Sequence, residues 1–303
     1  MKTAIACIIC NSPITRSRKG VAAPFLAKRI WGREPFNIDF AECEGCGFQF
    51  FNPRLEAEEE GHLYRNYRSD EYQQMRQSVE PWYTPSMNAN LSSNDYLEVR
   101  KERLRQILRE GLPEIQKPRI LDFGGDRGQL VDDLYPGAEA FVYDISRVTP
   151  LPGVIACHSI EECASRKFDV IICSNALEHV GDPRFLSAQL FSIAGPDTLV
   201  FLEIPFESPY NRHLVLRRLV QFGVLAILRP RVAWALAGTS FTCVMHEHIN
   251  FFNGKSLSAL VQHSGGHAIA HGDYPLSGTQ ANGGRIGWCF GKKRKVLEHS
   301  KSQ

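Results

Sequence analysis

Residues 119–130, RILDFGGDRGQL, decide the fold: an apolar strand runs into a glycine-rich turn and then into the start of a helix. Residues 141–146, FVYDIS, form a second strand that ends in Asp144, about twenty residues after the turn. Such a turn lets the backbone approach a ligand closely. An acid at the end of the second strand, such as Asp144, lies where it can bind a ribose diol. The two stretches together predict a nucleoside cofactor.

The charges of the turn distinguish between two such cofactors. Acids occupy positions 122 and 126, where they would repel a pyrophosphate and attract the cationic amino-acid end of S-adenosylmethionine (SAM). The turn therefore favours SAM over NAD, and an ordinary strand–turn–helix without a ligand is the alternative. The predicted cofactor residues in these two stretches are Asp122, Gly124, Gly125, Gly128 and Asp144.

The length, net charge and cysteine content of the chain limit the class of protein. A chain of 303 residues is long enough for one large or two modest domains. Its net charge of +2 argues against a strong general attraction to nucleic acid or to anionic membrane. The first ten residues contain an apolar run that is too short for an export signal. We therefore expect a cytoplasmic protein whose nine cysteines are reduced.

Four of the cysteines form two C-x-x-C pairs near the N-terminus, 32 residues apart. Each pair can place two thiolates on one metal ion, and two pairs complete a tetrahedral zinc site. Four cysteines without an open position predict a structural zinc, and redox chemistry is the alternative. The predicted ligands are Cys7, Cys10, Cys43 and Cys46.

Strands and helices alternate from residue 117 onwards, which predicts a parallel sheet with helices on both faces. A helix over 95–110 precedes this region. The strands are expected at 119–123, 140–144, 153–157, 168–173 and 197–203, with closing strands at Ile269–His271 and Arg285–Gly291. The helices are expected at 128–135, 160–165, 183–193 and 254–264.

The apolar segment 213–238 is interrupted by four arginines and a proline, which excludes a simple membrane span. Two helices that pack on the core or cap the site are one interpretation. A basic amphipathic surface that contacts a membrane peripherally is the other.

Two further segments carry groups suited to chemistry. Asn175 follows the strand at 168–173, and the carboxyl edge of such a sheet is where ligands bind. The triplet His246, Glu247 and His248 follows the sheet strands. A general base is the favoured interpretation of the triplet, and a metal site or a hydrogen-bonded corner are the alternatives.

These motifs together resemble those of a known family. The double C-x-x-C, the turn at 120–130, FDVIICSNALEHVGDP and HEHINFF are similar to class I SAM-dependent methyltransferases with an N-terminal zinc-binding domain. Among these, the chain looks most like the sugar C-methyltransferases. The resemblance implies a Rossmann-like α/β sheet, SAM as cofactor, and a sugar or nucleotide-sugar as acceptor.

The resemblance also implies roles for individual residues. Glu247 and His248 match the pair that handles the substrate proton, and Tyr64 or Tyr67 would assist them. Asp144 would hold the ribose hydroxyls, and Asn175 would border the methionine and the acceptor. The segment His158–Ile160, which includes Ser159, would contact the adenine.

Three departures from the family pattern bear on the reaction. Asp126 stands where a glycine is usual, and the adenine segment lacks the usual acid. The sugar C-methyltransferases also carry a further C-terminal domain, whereas this chain ends soon after the closing strands. The resemblance favours C-methylation, and these departures leave O-methylation or another glycan acceptor open. An RNA methyltransferase and a non-catalytic SAM-fold binding protein are the alternatives from other classes.

The expected organisation has three parts. Residues 1–55 form a zinc-binding module, and residues 56–116 form a helical cap or linker. Residues 117–303 form the SAM-binding domain, with an inserted substrate segment at about 205–252.

Overall fold

Two sheets organise the chain. The computed structural model describes residues 1–67, 69–86, 94–111, 115–209, 212–275 and 284–294. In chain order, the elements of the first half are β1 (Arg16–Ala22), α1 (Pro24–Trp31), β2 (Asn37–Glu42), β3 (Gln49–Asn52), α2 (Ala57–Tyr64), α3 (Asp70–Val79) and α4 (Asn94–Gly111). Those of the second half are β4 (Arg119–Phe123), β5 (Glu139–Tyr143), β6 (Ile155–Cys157), α5 (Ile160–Ser165), β7 (Val170–Ser174), α6 (Pro183–Ile193), β8 (Leu199–Phe206), α7 (Arg212–Leu228), α8 (Pro230–Ala237), β9 (Val244–Met245), β10 (Asn250–Phe251), α9 (Gly254–His263), β11 (Gly266–Pro275) and β12 (Arg285–Lys293).

The larger sheet has seven strands in the order β11-β12-β8-β7-β4-β5-β6. The strands from β8 to β6 are parallel to one another, and β12 runs antiparallel to β8. The strand order reverses direction between β4 and β7, which opens a crevice at their carboxyl ends. The sheet is thus the Rossmann-like α/β sheet expected from the sequence, with one antiparallel strand near its edge.

The smaller sheet has five strands in the order β10-β3-β2-β1-β9. Its three central strands come from the first 52 residues. Its two edge strands come from residues 244–251, beyond the larger sheet's fifth parallel strand. The segment that carries the His246–His248 triplet is therefore held at both ends by the N-terminal sheet. The predicted division into three parts stays a prediction.

The predicted elements agree with the structure within a few residues, except for the helix expected at 128–135. Residues 126–133 form consecutive turns instead. Left-handed backbone at Asp126 (φ 54°), Gly128 (φ 78°) and Asp133 (φ 52°) interrupts any continuous right-handed helix. The apolar side chains of this stretch, Leu130, Val131 and Leu134, are nevertheless buried. The prediction was wrong because burial of these side chains does not require helical backbone.

The segment 213–238 forms the two helices α7 and α8, as one of its interpretations expected. Among the described residues, no helix is both long and apolar enough to cross a membrane.

Arg54 joins the two sheets. It lies just after β3, its side chain is buried, and its guanidinium donates to backbone carbonyls on both sides of the junction. Nε donates to the Gly181 carbonyl at 2.9 Å, and one terminal nitrogen donates to the Phe51 carbonyl at 2.8 Å. The other donates to the Val180 carbonyl at 3.1 Å and to the Asn250 side-chain oxygen. The planar fork of arginine suits this set of acceptors better than lysine would.

Replacement of Arg54 by methionine should destabilise the protein. The variant leaves several buried carbonyls without a donor, and one lost hydrogen bond to a charged group alone costs about 1.5–3 kcal/mol. We expect the free energy of unfolding to fall by at least about 3 kcal/mol in urea denaturation. Arg16→Met, at an exposed arginine of the same N-terminal sheet, is the control and should change it by less than about 0.5 kcal/mol. Equal unfolding curves for the two variants would contradict the assignment.

Candidate functional site

The glycine-rich turn lies at the carboxyl end of β4. Gly124 and Gly128 have φ angles of 76° and 78°, which glycine adopts without strain. A side chain at Gly128 would also come within 2.7 Å of Val154. The turn thus has the close-packed backbone that the sequence predicted. No helix begins behind it, so a ligand here would meet turn amides rather than a helix N-terminus.

Asp126 and Asp144 are joined by a direct hydrogen bond. The Asp126 amide donates to one Asp144 oxygen at 2.9 Å, while the amide and hydroxyl of Ser146 donate to the other at 2.8 and 2.6 Å. Asp126 adopts the left-handed backbone conformation that a glycine adopts readily, and its amide in this conformation donates to Asp144. The Asp144 carboxylate therefore lies beside the turn, where its oxygens accept from backbone and hydroxyl donors.

Asp122 lies beneath the turn and is buried. Burial raises the pKa of its carboxyl to about 7, although Arg100 opposes the shift. A side chain at Gly125 would come within 2.2 Å of the Asp122 carboxyl carbon, so only glycine fits there. The Asp122 carboxyl therefore packs directly against the turn at Gly125.

Ser159 and Asn175 were both predicted to contact the cofactor. The Ser159 hydroxyl accepts from the Glu162 amide at 3.1 Å and caps α5, so it already has a structural partner. Asn175 has left-handed backbone (φ 51°), and its amide donates to the Glu203 carbonyl at 2.9 Å. Its side-chain oxygen is buried and has no hydrogen-bond partner within the part of the chain that is described. That oxygen is available to a ligand at the carboxyl end of β7.

Glu247 is held by residues other than His248. Its carboxylate accepts from the Tyr72 hydroxyl and from Arg76 at 3.1 Å. Burial alone would raise the pKa of Glu247, but His246, Arg76 and the Tyr72 hydroxyl lower it to about 2. The carboxylate is therefore an ionised partner of Arg76, and its hydrogen bonds go to Tyr72 and Arg76 rather than to His248.

His246 also supports this arrangement through both of its ring nitrogens. Its Nδ1 accepts from the Glu247 amide at 2.9 Å, and its Nε2 lies 3.1 Å from both oxygens of Glu80. Glu80 in turn pairs with Arg76 at 3.2 Å. Both ring nitrogens of His246 are thus engaged in holding Glu247 and α3 together.

His248 pairs with Glu207, which follows β8. Its Nδ1 lies 2.9 Å from a Glu207 carboxylate oxygen. Burial alone would lower the pKa of His248, but the hydrogen bond and the charge of Glu207, with Glu178 and Glu247 nearby, raise it to about 9. At neutral pH this side chain is an imidazolium, so it is not a base in this state.

Glu178 and His179 were quoted in the ALEHV segment but were not predicted as site residues. The rings of His179 and His248 lie 4.7 Å apart at 81°, and His179 Nε2 lies 3.9 Å from a Glu178 oxygen. His179 Nδ1 lies 3.0 Å from the Glu247 carbonyl oxygen, which can only accept, so Nδ1 carries the proton and Nε2 holds a lone pair. Their position directly after β7, at the edge where ligands bind, was the signal in the sequence.

The ionisation of Glu178 and His179 differs from that of ordinary side chains. Burial raises the pKa of Glu178 to about 7, although His248 opposes the shift, and one of its oxygens has no partner among the described residues. Burial and the neighbouring His248 lower the pKa of His179 to about 4. The site therefore holds a neutral imidazole and an imidazolium side by side, with a carboxyl that titrates near neutrality.

These three side chains, Glu178, His179 and His248, offer ligand atoms within 4.8 Å of one another. The spacing suits a shared proton, and it also suits a divalent metal ion, which requires both imidazoles to be neutral.

The predicted tyrosines border this cluster. The Tyr64 hydroxyl lies 3.1 Å from His179 Nδ1, and burial and Glu247 raise its pKa well above the usual value. Tyr67 packs edge-on against both Tyr64 and Tyr72, with ring centroids 5.5 and 5.3 Å apart. Tyr64 therefore contacts the acid–base groups directly, Tyr67 packs beside it, and Tyr72, which the sequence analysis missed, holds Glu247.

The four N-terminal cysteines converge as predicted. The sulfurs of Cys7 and Cys46 are 3.7 Å apart, those of Cys10 and Cys43 are 3.5 Å apart, and all four lie within 4.8 Å of one another. The two turns share one geometry. In each, the residue after the second cysteine has positive φ, and its amide donates to the carbonyl of the first cysteine: Asn11 to Cys7 at 2.9 Å and Gly47 to Cys43 at 2.7 Å.

The solved structures that are similar to this chain include two methyltransferases of low sequence identity. The 1,6-didemethyltoxoflavin-N1-methyltransferase of Burkholderia thailandensis, with 1,6-didemethyltoxoflavin and S-adenosylhomocysteine bound, has a TM-score of 0.47 and 12% identity over 85% of this chain and 96% of that one. The CurJ carbon methyltransferase has a TM-score of 0.41 and 14% identity over 71% of this chain and 60% of that one.

No curated protein matches the sequence. Residues 96–269, more than half of the chain, match the family model described as a methyltransferase domain. This chain belongs to that methyltransferase family and is a SAM-dependent methyltransferase.

Proposed function

We propose that the protein transfers the methyl group of SAM to a sugar or nucleotide-sugar, with a carbon acceptor favoured over a hydroxyl. The observation that carries this proposal is the cluster of Glu178, His179 and His248 at the carboxyl edge of the sheet. Both carbon and oxygen acceptors must lose a proton, and this cluster offers a proton acceptor beside a fixed positive charge. The resemblance to sugar C-methyltransferases supplies the acceptor class.

The proton acceptor is the Glu178 carboxylate. His179, whose pKa is lowered to about 4, stays neutral beside it, with Nε2 3.9 Å from a Glu178 oxygen. Glu178 is well suited to this role because a carboxyl with a pKa of about 7 is both available and basic at neutral pH. The sequence-based assignment of the base to His248 is therefore replaced in this proposal.

His248 has a different role. As an imidazolium fixed by Glu207, it places a positive charge where an enolate or alkoxide develops during proton removal. Tyr64 adds a neutral hydroxyl beside His179. Glu247 and His246 act by holding this segment in place through Tyr72, Arg76 and Glu80.

SAM binds across the turn at the ends of β4 and β5 in this proposal. Asp144 accepts the ribose hydroxyls, and Gly124, Gly125 and Gly128 let the backbone approach the methionine end. Asp122 and Asp126 attract its ammonium group, and Asn175, at the end of β7, borders the methionine and the acceptor. SAM supplies the electrophilic methyl, and most of the rate comes from holding the acceptor in line behind it.

A structural zinc ion at the N-terminal cysteines is part of the proposal. Tetrahedral zinc with thiolates about 2.3 Å away separates its sulfurs by about 3.8 Å. The observed pairs at 3.5 and 3.7 Å fit that arrangement, and the four side chains leave no position for a water ligand. The zinc would fix the two turns and, through them, the edge of the smaller sheet.

Zinc analysis tests this assignment. We expect one zinc per chain after purification without added metal, and loss of that zinc together with a lower melting temperature in Cys43→Ser. Cys289→Ser, at a buried cysteine of the larger sheet, is the control and should keep its zinc. A zinc-free wild type, or equal zinc in both variants, would contradict the assignment.

Calorimetry with S-adenosylhomocysteine tests the ribose contact. Asp144→Ala should weaken binding by about 1.5–3 kcal/mol, or roughly ten- to a hundredfold in Kd, because it removes charge-assisted hydrogen bonds. Glu139→Ala, at the exposed opposite end of the same strand, should bind as the wild type does. Equal affinity of both variants would show that the ribose lies elsewhere.

Nitrogen NMR of histidine-labelled protein tests the charge states without any acceptor. His248 should be protonated at pH 7 and lose its proton near pH 9, whereas His179 should be neutral at pH 7. His248→Gln and His179→Gln assign the two signals. A neutral His248 at pH 7 would contradict the proposed mechanism.

Turnover with labelled SAM and a panel of nucleotide-sugars, keto-sugars and transfer RNA identifies the acceptor. With the acceptor found, the rate should rise through pH 7 as Glu178 ionises and fall through pH 9 as His248 loses its proton. Glu178→Gln should lower turnover by about 10²–10⁴ and abolish the rise near pH 7, with unchanged affinity for S-adenosylhomocysteine. Methylation of RNA alone would overturn the sugar assignment, and solvent exchange at the carbon beside a ketone would distinguish C- from O-methylation.

A further inference from the structure

The helices α7 and α8 form a hairpin, residues 212–238, whose composition differs from the rest of the chain. This stretch contains five arginines and neither aspartate nor glutamate. In a chain with 33 acidic residues, the absence of acids over 27 positions leaves the hairpin strongly basic. We call residues 212–238 the arginine hairpin.

One side of the arginine hairpin is anchored to the protein. Leu225, Ala233 and Leu236 are buried against Val21 of the N-terminal sheet. Arg218 donates to the Pro209 carbonyl at 2.9 Å, and Arg229 donates to the Ser78 carbonyl at 2.8 Å. The hairpin therefore has a fixed orientation, and its other side is held toward solvent.

The outward side carries an apolar stripe. Along α7, the exposed positions Leu216, Leu219, Val220 and Ile227 recur at the spacing of one helix face, and Trp234 of α8 and Leu228 extend the patch. These six side chains are between 47% and 83% exposed. Six large exposed apolar side chains on one short hairpin are typical of an interaction site.

The charges around the stripe indicate what covers it. Arg217, Arg229 and Arg231 are exposed at its margins, and no acid in the hairpin offsets them. A second copy of the chain docked face to face would bring these arginines together and be repelled. An anionic lipid surface attracts the arginines and accepts the apolar side chains, and tryptophan is favoured at that interface.

A cavity of about 240 Å³ lies between the arginine hairpin and α3. Its hairpin wall includes Arg217, Arg218 and Phe222, and its far wall includes Arg76 and His246. Glu80 also lines the cavity and pairs with both Arg76 and His246, so the charges of the far wall are compensated. The cationic groups that the hairpin offers to an anionic head group are therefore the exposed arginines at the margins of the stripe.

We propose that the arginine hairpin docks the protein on the surface of an anionic phospholipid bilayer, with its apolar stripe inserted among the head groups. The proposal is independent of the acceptor and of the acid–base mechanism. Peripheral docking needs no membrane-spanning helix.

Co-sedimentation of the full chain with vesicles tests the proposal. We expect binding to vesicles of equal parts phosphatidylcholine and phosphatidylglycerol, weakened by salt, and little binding to pure phosphatidylcholine. Trp234→Ser and Ile227→Ser should each weaken binding about tenfold, because each removes a large apolar side chain from the bilayer contact. The double variant Arg217→Glu and Arg231→Glu should weaken it at least tenfold on the anionic vesicles.

Matched controls keep the test decisive. Phe185→Ser changes an exposed aromatic side chain on α6, away from the hairpin, and should bind vesicles as the wild type does. All variants lie at exposed positions, and unchanged binding of S-adenosylhomocysteine confirms that each has folded. Equal vesicle binding by Trp234→Ser and Phe185→Ser would overturn the proposal. So would a Trp234-dependent dimer in light scattering that ignores vesicles.

Discussion

The arrangement of the site depends on the buried guanidinium of Arg54. It spans the end of β3, the loop after β7 and the start of β10, three segments that are distant in sequence. Asn250 completes the junction by donating to the carbonyls of Leu177 and Val180, both at 2.7 Å. Glu178 and His179 lie on the loop that these bonds fix, and His248 lies just before Asn250. The acid–base cluster therefore forms only when the two sheets are docked.

The pairing of opposite charges in the site depends on the same contact between the two sheets. Burial makes isolated charges costly, so each ionised group has a partner of opposite charge: Glu247 with Arg76, and Glu207 with His248. Glu178 lacks a close cationic hydrogen-bond donor, and its pKa rises to about 7. Glu178 is thus the carboxyl whose charge is least compensated, and this suits it to exchange a proton at neutral pH. For this reason the proposal places the base at Glu178.

The arginine hairpin adds a second, separate feature. Its anchored side packs on the N-terminal sheet beside α3, which also carries Tyr72 and Arg76. A surface contact at the hairpin would therefore lie close to the groups that hold Glu247, without involving Glu178, His179 or His248. The exposed stripe is not part of this packing: the hairpin side chains that the described structure places in or against the cluster are Leu225, Ala233, Leu236, Phe222 and Val232.

The sequence by itself determined the α/β sheet, the family, the convergence of the four cysteines and most element bounds, because hydrophobic periodicity, turn glycines and C-x-x-C spacing are local signals. It misplaced a helix at 128–135, since left-handed backbone at Asp126 and Asp133 carries no clear signal in side-chain type. Only the tertiary structure decided which carboxylate pairs with which histidine. His248 pairs with Glu207 rather than with its neighbour Glu247, because the choice depends on which strands meet at one edge and on how deeply each group is buried.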